Sequence, residues 1–252
     1  MLDFLKPSIS AIQEFFLLAG RAFRNIFRKP HYFEDISLQM DSIGVGSLPI
    51  VMLTGFFSGA IMALQMSRAL NQYGASSQVG QIVSITLVRE MGPVLTALLV
   101  AGRNASGIAS ELGSMKVTEQ IDAMRALGTD PIQKLVTPRL IAMCVVLPLL
   151  TIIADFIGVF GGYLVACPLL QLTTASQYWS NSWRMLEYND IFQGLLKPLV
   201  FAMIIALVGC FYGIQTTGGT QGVGRSTTRA VVVASVWVFV VTFFIGKLFV
   251  NL

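Results

Sequence analysis

Long runs without a charged side chain are the feature that most restricts how this chain can fold. Residues 48–67, 140–154 and 230–246 contain no Asp, Glu, Lys or Arg. A transmembrane helix needs about 20 predominantly apolar residues, and these runs approach or reach that length. Of the whole chain 54% is apolar and 12% is charged, whereas soluble domains carry about 25% charged residues. The sequence therefore predicts an all-α membrane protein and excludes a soluble enzyme.

The apolar runs predict five membrane spans, and the second of them is unusual. That span is longer than one crossing requires and contains Arg89, Glu90 and Pro93, so a kink is expected at the proline. The predicted spans cover residues 48–70, 79–108, 140–164, 195–214 and 230–250. Residues 48–252 thus form the expected membrane domain.

The segment before the first span has a different character. Apolar residues recur at helical spacing within residues 8–28, while Arg21, Arg24 and Arg28 lie towards the other side. Such a helix is expected to lie in the membrane interface, and Pro30 should end it. Residues 1–47 are therefore assigned to an interfacial helix and a juxtamembrane segment, and no cleaved signal peptide is expected.

Residues 110–139 form the one strongly charged stretch between spans, which predicts an aqueous loop. Val117, Ile121, Met124 and Leu127 recur within it at intervals of three or four residues. This spacing predicts a short amphipathic helix over residues 117–127, ended by Gly128. A second loop, residues 171–192, is rich in Trp and Tyr, as expected at a membrane interface.

Lysines and arginines predict the orientation of the chain, because they concentrate on the cytoplasmic side of membrane proteins. With a cytoplasmic N-terminus, five spans leave the C-terminus outside, and the basic residues divide twelve to three in favour of the cytoplasm. The cytoplasmic set is Lys6, Arg21, Arg24, Arg28, Lys29, Arg103, Lys116, Arg125, Lys134, Arg139, Arg225 and Arg229, and the outer set is Arg68, Arg184 and Lys247. This placement also explains the net charge of +4 without nucleic-acid binding.

Two motifs favour structural interpretations. The segment 219–226, Gly-Thr-Gln-Gly-Val-Gly-Arg-Ser, resembles a phosphate-binding P-loop, but it lacks the lysine and the preceding β-strand, so it is interpreted as a flexible cytoplasmic turn. Cys144, Cys167 and Cys210 lie in apolar runs without metal-ligand spacing. They are expected to be buried small residues, and no metal site is predicted.

Glycine pairs and charges within the spans leave alternatives open. Gly-x-x-x-Gly motifs at residues 55–59, 158–162 and 209–213 predict close helix contacts, either within one protomer or between protomers. An unpaired charge in hydrocarbon is costly. Arg89, Glu90, Asp155 and Lys197 therefore either pair within the helix bundle or line a route for a charged substrate.

Two stretches carry a resemblance to a known family. The first, residues 87–103, reads Leu-Val-Arg-Glu-Met-Gly-Pro-Val-Leu-Thr-Ala-Leu-Leu-Val-Ala-Gly-Arg, and the second, residues 110–128, begins Ser-Glu-Leu-Gly-Ser-Met-Lys-Val-Thr-Glu-Gln-Ile-Asp. With Asp130-Pro131, Pro138-Arg139 and the segment 224–229, they resemble the MlaE (YrbE) family of ABC-transporter permeases. Met91 departs from the leucine common in that family.

This resemblance implies a homodimer of non-catalytic permease subunits in the bacterial inner membrane, with an interfacial helix and five transmembrane helices in each. It implies a cytoplasmic ABC ATPase that binds ATP, a periplasmic MCE-domain protein and a phospholipid substrate, and it allows a small cytoplasmic STAS-type subunit. The permease itself should need no cofactor. Lipid-contacting positions of the family match Met62, Leu70, Tyr73, Arg89, Glu90 and Lys197.

The same resemblance assigns the loop helix to docking in a groove of the ATPase. The expected docking residues are Val117, Glu119, Gln120, Ile121, Asp122, Met124 and Arg125. Two other functions stay open. One is a self-contained ion-coupled carrier that uses the intramembrane charges, although no inverted repeat is visible. The other is a scaffold that anchors a partner through residues 110–139.

Overall fold

The computed structural model describes residues 6–30 and 32–250, and within this part of the chain it contains eight helices and no strand. His31 and the C-terminal Leu252 lie outside the described residues. The helices are α1 (Lys6–Ile26), α2 (Phe33–Gln72), α3 (Ser76–Val117), α4 (Gln120–Ala126), α5 (Ile132–Leu169), α6 (Ala175–Arg184), α7 (Tyr188–Ile214) and α8 (Gly219–Val250).

Five of these helices, α2, α3, α5, α7 and α8, are long and apolar enough to cross a membrane. The predicted number of spans is therefore confirmed for the described residues. The predicted starts were too late, because polar residues before each apolar run are helical as well. The first predicted span begins at residue 48, for example, whereas α2 begins at Phe33 and carries Glu34 and Asp35 in its first turn. Acidic residues stabilise a helix N-terminus at this position.

The glycine-rich segment 219–226 is not the flexible turn that its sequence predicted. Gly218 and Gly219 have positive φ angles of 85° and 64°, a conformation that glycine adopts readily. The helix α8 begins at Gly219 and continues through Gly224 and Arg225. The turn is thus confined to the glycines at its start, and the P-loop-like string is helical.

The first of two compact units contains the chain up to Ile43, Val100–Val145 and Ala202–Trp237. Within it, α1 and the residues that follow it are held to the start of α5 and the residue Asp130 before it: Asn25 Nδ2 donates to Asp130 Oδ2 at 3.1 Å, and Gln133 Nε2 donates to the carbonyl of Pro30 at 3.0 Å. The exposed side of α1 presents both phenylalanines and arginines. This mixture is typical of a helix in a membrane interface.

The second unit contains Gly44–Leu99, Val146–Phe201 and the chain from Val238 onward. Here α2 and α5 approach closely at glycine. A Cβ atom on Gly59 would lie 1.8 Å from the carbonyl oxygen of Gly158, and one on Gly55 would lie 2.7 Å from that of Ala154. Only glycine allows this approach. Packing within one protomer, one of the two alternatives for these motifs, is confirmed for the α2–α5 contact.

The helix α3 changes geometry close to the position where a kink was expected. Residues Leu87–Met91 form a π-helical turn, in which the N–H of Gly92 donates to the carbonyl of Leu87. The irregular turn thus lies directly before Pro93. Single π-helical turns inside α-helices occur frequently at functional sites, and this one carries both Arg89 and Glu90.

Candidate functional site

Two ion pairs connect α3 with α7 in the second unit. Arg89 Nε pairs with Asp190 Oδ1, and Lys197 Nζ pairs with Glu90 Oε1 at 2.6 Å. Arg89 and Glu90 are adjacent in sequence, so their side chains point about 100° apart on a helix. Each therefore has its own partner on α7, as the alternative of pairing within the bundle predicted.

The two pairs have a common design in which one partner is buried and the other is half-exposed. The side chains of Lys197 and Asp190 are 0% and 3% exposed, whereas those of Glu90 and Arg89 are 46% and 44% exposed. The buried charges lie on α7 and the accessible charges on α3. The site thus presents one cation and one anion, each held in place by a buried countercharge.

Lys197 also compensates for a proline. The carbonyl of Arg89 would accept a hydrogen bond from the N–H four residues later, but that residue is Pro93, which has none. Lys197 Nζ donates to this carbonyl at 2.8 Å. Backbone groups freed by proline within a membrane need such a replacement. One buried lysine therefore stabilises both the irregular backbone of α3 and the side chain of Glu90.

Arg89 and Glu90 line a cavity of about 910 Å³. Parts of α3, α7 and α8 and the residues just before α7 surround it. The lining side chains of Glu187, Asn189, Asp190, Gln193, Thr242 and Lys247 are polar or charged, and Phe243 and Phe249 are apolar. A cavity of this size falls within the range that holds small-molecule ligands, about 300–1,000 Å³. It offers cations, carboxylates and apolar surface to a single ligand.

The structure brings together only part of the predicted lipid-contacting set. Met62 and Leu70 pack against an apolar cluster that includes Val83 and Tyr178. Tyr73 follows α2 and is 83% exposed. None of the three is among the described residues that line the charged cavity. Their contact with lipid stays a prediction.

Sequence reasoning missed Asp190 and Lys247 as members of the site. Asp190 lies in the first turn of α7, where Glu187 N–H also donates to its Oδ2 at 3.0 Å. Lys247 lies in the last turns of α8. An acidic residue at the start of a span, opposite an intramembrane arginine, was the available signal for Asp190. Lys247 had been counted only as an outer charge.

The predicted docking helix differs from the observed one in extent and orientation. Val117 ends α3, and the helix α4 covers only Gln120–Ala126 because Glu119 has a positive φ of 60°, which an α-helix does not accommodate. Ile121 is fully buried within this chain, whereas Leu127 is 84% exposed. The expected apolar docking face through Ile121 is not exposed, because this side chain is buried within the chain. Docking of an ATPase through the rest of the loop stays a prediction.

Charged residues of the loop also form ion pairs, but these pairs are exposed to solvent. Lys116 Nζ lies 2.6 Å from Asp122 Oδ2, and Arg125 Nη1 lies 3.2 Å from Asp122 Oδ1. The hydrogen bond from Lys116 lowers the pKa of the Asp122 carboxyl from its ordinary value. Glu119, Gln120 and Arg125 are exposed, and Met124 is half-buried. The loop thus offers a polar surface with Leu127 at its end.

The residues that the structure describes contain no group of His, Cys, Asp and Glu suited to a metal ion. The thiol of Cys210 is buried and those of Cys144 and Cys167 are half-buried, all unpaired.

Five candidate spans and a charged cavity among them define a multi-pass membrane protein with a polar cavity between its helices.

The chain matches the model of one protein family, described as the permease MlaE, over residues 36–248. This match covers all five candidate spans almost completely. The chain belongs to the MlaE permease family.

Curated relatives agree with this assignment. The chain is 42% identical over 239 residues to a probable ABC transporter permease protein of Rickettsia bellii, covering 95% of this chain and 92% of that protein. It is 34% identical over 243 residues to the intermembrane phospholipid transport system permease protein MlaE of Haemophilus influenzae, covering 93% of each. It is 35% identical to the chloroplastic protein trigalactosyldiacylglycerol 1 of Arabidopsis thaliana, covering 92% of this chain and 66% of that protein.

Proposed function

We propose that this chain is the membrane-embedded subunit of an ABC transporter that moves phospholipids between the inner membrane and a periplasmic MCE-domain carrier. The observation that carries the proposal is the charged cavity, in which half-exposed Arg89 and Glu90 are held by buried Asp190 and Lys197. The name of the Haemophilus influenzae relative, which refers to intermembrane phospholipid transport, supports the substrate class.

The chemistry of the cavity suits a phospholipid headgroup. Arg89 and Lys247 are cations that can bind an anionic phosphate, and an arginine can do so through two parallel hydrogen bonds. Glu90 and Glu187 are carboxylates that suit an ammonium group. Phe243 and Phe249 supply apolar surface for the start of an acyl chain. Lys197 is buried beneath Glu90, and we assign it to holding Glu90 rather than to touching lipid.

The proposed topology has a cytoplasmic N-terminus and a periplasmic C-terminus. Under this topology Arg89, Asp190 and Lys247 all lie in the outer parts of their spans, because α3 and α7 both begin on the outer side and α8 ends there. The charged cavity would then open towards the periplasmic side. Reporters fused near Thr129 and after Leu252 test this, with cytoplasmic and periplasmic signals expected respectively. The reverse pattern would contradict it.

We place ATP hydrolysis on a separate cytoplasmic ATPase that contacts the loop around α4. The exposed side chains of Glu119, Gln120, Asp122, Arg125 and Leu127 are available for this contact. An amphipathic helix that binds in a groove commonly uses apolar anchors, and Leu127 is the best exposed anchor. The proposed assembly is completed by a second copy of this chain, and it leaves room for a STAS-type subunit.

Leu127→Asp tests the docking surface. A charge placed in an apolar contact should weaken binding of the ATPase about tenfold or more, while the membrane fold persists. Met185→Asp, an exposed apolar residue beyond α6, is the matched control and should leave binding unchanged. Ile121→Asp should instead reduce the yield of folded protein, because Ile121 is buried in this chain. Normal recovery of the ATPase with Leu127→Asp would overturn the assignment.

Reconstitution tests the function itself. The chain, the ATPase and the MCE-domain protein are placed in proteoliposomes with a fluorescent phospholipid, and transfer to acceptor vesicles is followed. Transfer should require ATP and should fall at least about tenfold when Arg89→Gln removes the cavity arginine, the cation that can bind a phosphate through two hydrogen bonds. Transfer driven by an ion gradient without the ATPase would favour a self-contained carrier. An assembled complex that hydrolyses ATP but moves no lipid would overturn the proposal.

A further inference from the structure

A second cavity, of about 280 Å³, lies within the second unit. Segments of α3, α5, α6 and α7 and the residues between the last two surround it. Its walls are largely apolar and include Val88, Ile152, Phe156, Trp179 and Leu195. In the part of the chain that the structure describes, it shares no lining residue with the charged cavity. The two cavities are therefore separate candidate sites.

Two of the three polar residues in its walls, Ser84 and Ser182, already donate hydrogen bonds to backbone carbonyl groups. Ser84 Oγ lies 3.0 Å from the carbonyl of Gln81 and 3.1 Å from that of Ser182, and it donates to these oxygens. Ser182 Oγ donates to the carbonyl of Tyr178 at 2.9 Å. A hydroxyl has a single proton to donate. These serines therefore have no donor left for a ligand.

The third polar residue, Asp155, lacks a hydrogen-bond donor. Its Oδ1 atom is buried and has no partner within the described residues. This atom lies against the backbone of Gly92, where an added Cβ would come within 1.6 Å of it. Polar groups buried in proteins are almost always hydrogen-bonded, and a carboxyl group among membrane helices is costly without a partner. Asp155 also lines the cavity, and because Oδ1 is packed against Gly92, the other carboxyl oxygen, Oδ2, is the acceptor that a donor in the cavity would reach.

We propose that this cavity binds an uncharged lipid with a hydroxyl group, with the chain against the apolar walls and the hydroxyl donating to the Asp155 carboxyl group. No cation lines the cavity among the described residues, so a phosphate would face a carboxyl group without compensation. A plain alkyl chain would leave Asp155 unsatisfied. The volume lies just below the range of about 300–1,000 Å³ typical of ligand pockets, which suits one chain rather than a two-chain phospholipid.

Photo-crosslinking of the full chain in lipid nanodiscs tests this proposal directly. The probes are a fatty alcohol with a diazirine midway along its chain, the methyl ether of the same alcohol, and a phosphatidylglycerol with the same diazirine chain. Labelled peptides are mapped by mass spectrometry. The alcohol should label residues 152–159 and 179–195 about tenfold more strongly than the ether, which cannot donate. Phosphatidylglycerol should label them no more than the ether does.

Variants separate the hydroxyl contact from filling of the cavity. Asp155→Leu should abolish the preference for the alcohol, whereas Asp155→Asn, which keeps an acceptor oxygen, should retain part of it. Ile152→Phe fills the cavity and should reduce labelling by the alcohol. Leu149→Phe is the matched control, since Leu149 is exposed on the same helix and does not line the cavity, and it should leave labelling unchanged.

Three results would overturn the proposal: equal labelling by alcohol and ether in the native chain, stronger labelling by phosphatidylglycerol, or no labelling of these peptides. If Asp155→Leu fails to fold, the comparison of probes in the native chain and in Asp155→Asn still decides the matter. The readout needs no ATPase and no transport. Its outcome is therefore independent of the proposed transport function.

Discussion

The charged cavity and the loop around α4 both contain ion pairs, but the pairs are built differently. In the cavity, Lys197 and Asp190 are almost fully buried and their partners are half-exposed. In the loop, Lys116, Asp122 and Arg125 are all accessible to water. The cavity pairs also support irregular backbone, since Lys197 donates to the carbonyl of Arg89, whereas the loop pairs contact side chains only.

This difference indicates different roles for chemically similar pairs. Removing one partner of a buried pair leaves an uncompensated charge and is strongly destabilising. Exposed pairs contribute little because water and salt replace the missing partner. The cavity pairs therefore hold charges at fixed positions among membrane helices, and the loop pairs leave a surface that a partner can rearrange.

The largest expected effect comes from Glu90→Leu, because it leaves buried Lys197 without its countercharge. The variant should lose about 3–5 kcal/mol of stability, the range for breaking a buried ion pair, measured by thermal unfolding in detergent. Lys197→Met should cost less, because the remaining Glu90 faces the cavity and the other loss is one hydrogen bond to the carbonyl of Arg89. The double variant should recover part of the loss. Equal losses of stability in the two single variants would contradict the distinction between buried and half-exposed partners.

A second contrast concerns packing rather than charge. Gly59→Ala should cost about 1–3 kcal/mol, as expected for overpacking, because its Cβ would meet the backbone of Gly158. Gly107→Ala in the first unit has open space around the added Cβ and should stabilise α3 by up to about 1 kcal/mol through helix propensity. Thermal unfolding of both variants measures the difference. A stable Gly59→Ala protein would disprove the close contact of α2 with α5.

A smaller effect is expected at Tyr178, which lies in α6 between two spans. Its buried hydroxyl donates to the carbonyl of Val159 at 3.0 Å, so Tyr178→Phe should cost about 1 kcal/mol. Burial raises the pKa of this phenol. The folded state therefore resists its ionisation, and stability should fall as the pH rises above the ordinary value near 10. Absorbance of tyrosinate during alkaline titration measures this, and early ionisation of Tyr178 would contradict it.

The smallest effect is expected at Asp122, on the loop. Its pKa is lowered mainly by the hydrogen bond from Lys116, so its contribution is present above the ordinary value and disappears as the pH falls through the lowered one. Asp122→Asn should shift the unfolding temperature only slightly, and this shift should vanish in high salt. A large effect that persists in salt would show that the loop pairs resemble the cavity pairs.

Much of this fold could be predicted from the sequence because a bilayer requires long apolar helices. The five spans, the helix α1 and the glycine contacts between α2 and α5 follow from composition and spacing. Helix starts could not be predicted, because polar residues continue a helix into water without a change in pattern. The orientation of Ile121 was also mispredicted, since amphipathic spacing identifies an apolar face but does not say whether this chain or a partner covers it.

Part of the candidate site was evident from the sequence. Arg89, Glu90 and Lys197 were evident because charges within apolar runs are rare. Their ion-pair partners on α7 could not be predicted. Residues 89 and 190 are far apart in the sequence, and the sequence does not say how α3 and α7 are aligned. Lys247 looked like an ordinary helix-end cation. Asp155 was also evident as a charge within a span, but the sequence could not show that it lines the second cavity and not the charged one.

The central claim is that the accessible charges of the cavity bind a phospholipid headgroup, and Arg89→Gln tests it most directly. Arg89→Gln leaves the buried Asp190 without its cation and should lower stability. Asp190 nevertheless keeps the hydrogen bond from Glu187 N–H and its place at a helix N-terminus, so folded chain should still be recovered. Arg103→Gln, an exposed arginine elsewhere on α3, is the matched control. The measurement is phospholipid phosphate bound per folded chain after purification from membranes. Arg89→Gln should lower the bound phospholipid at least about tenfold and Arg103→Gln should leave it unchanged, whereas equal lipid content in both variants would show that the cavity charges do not hold the headgroup.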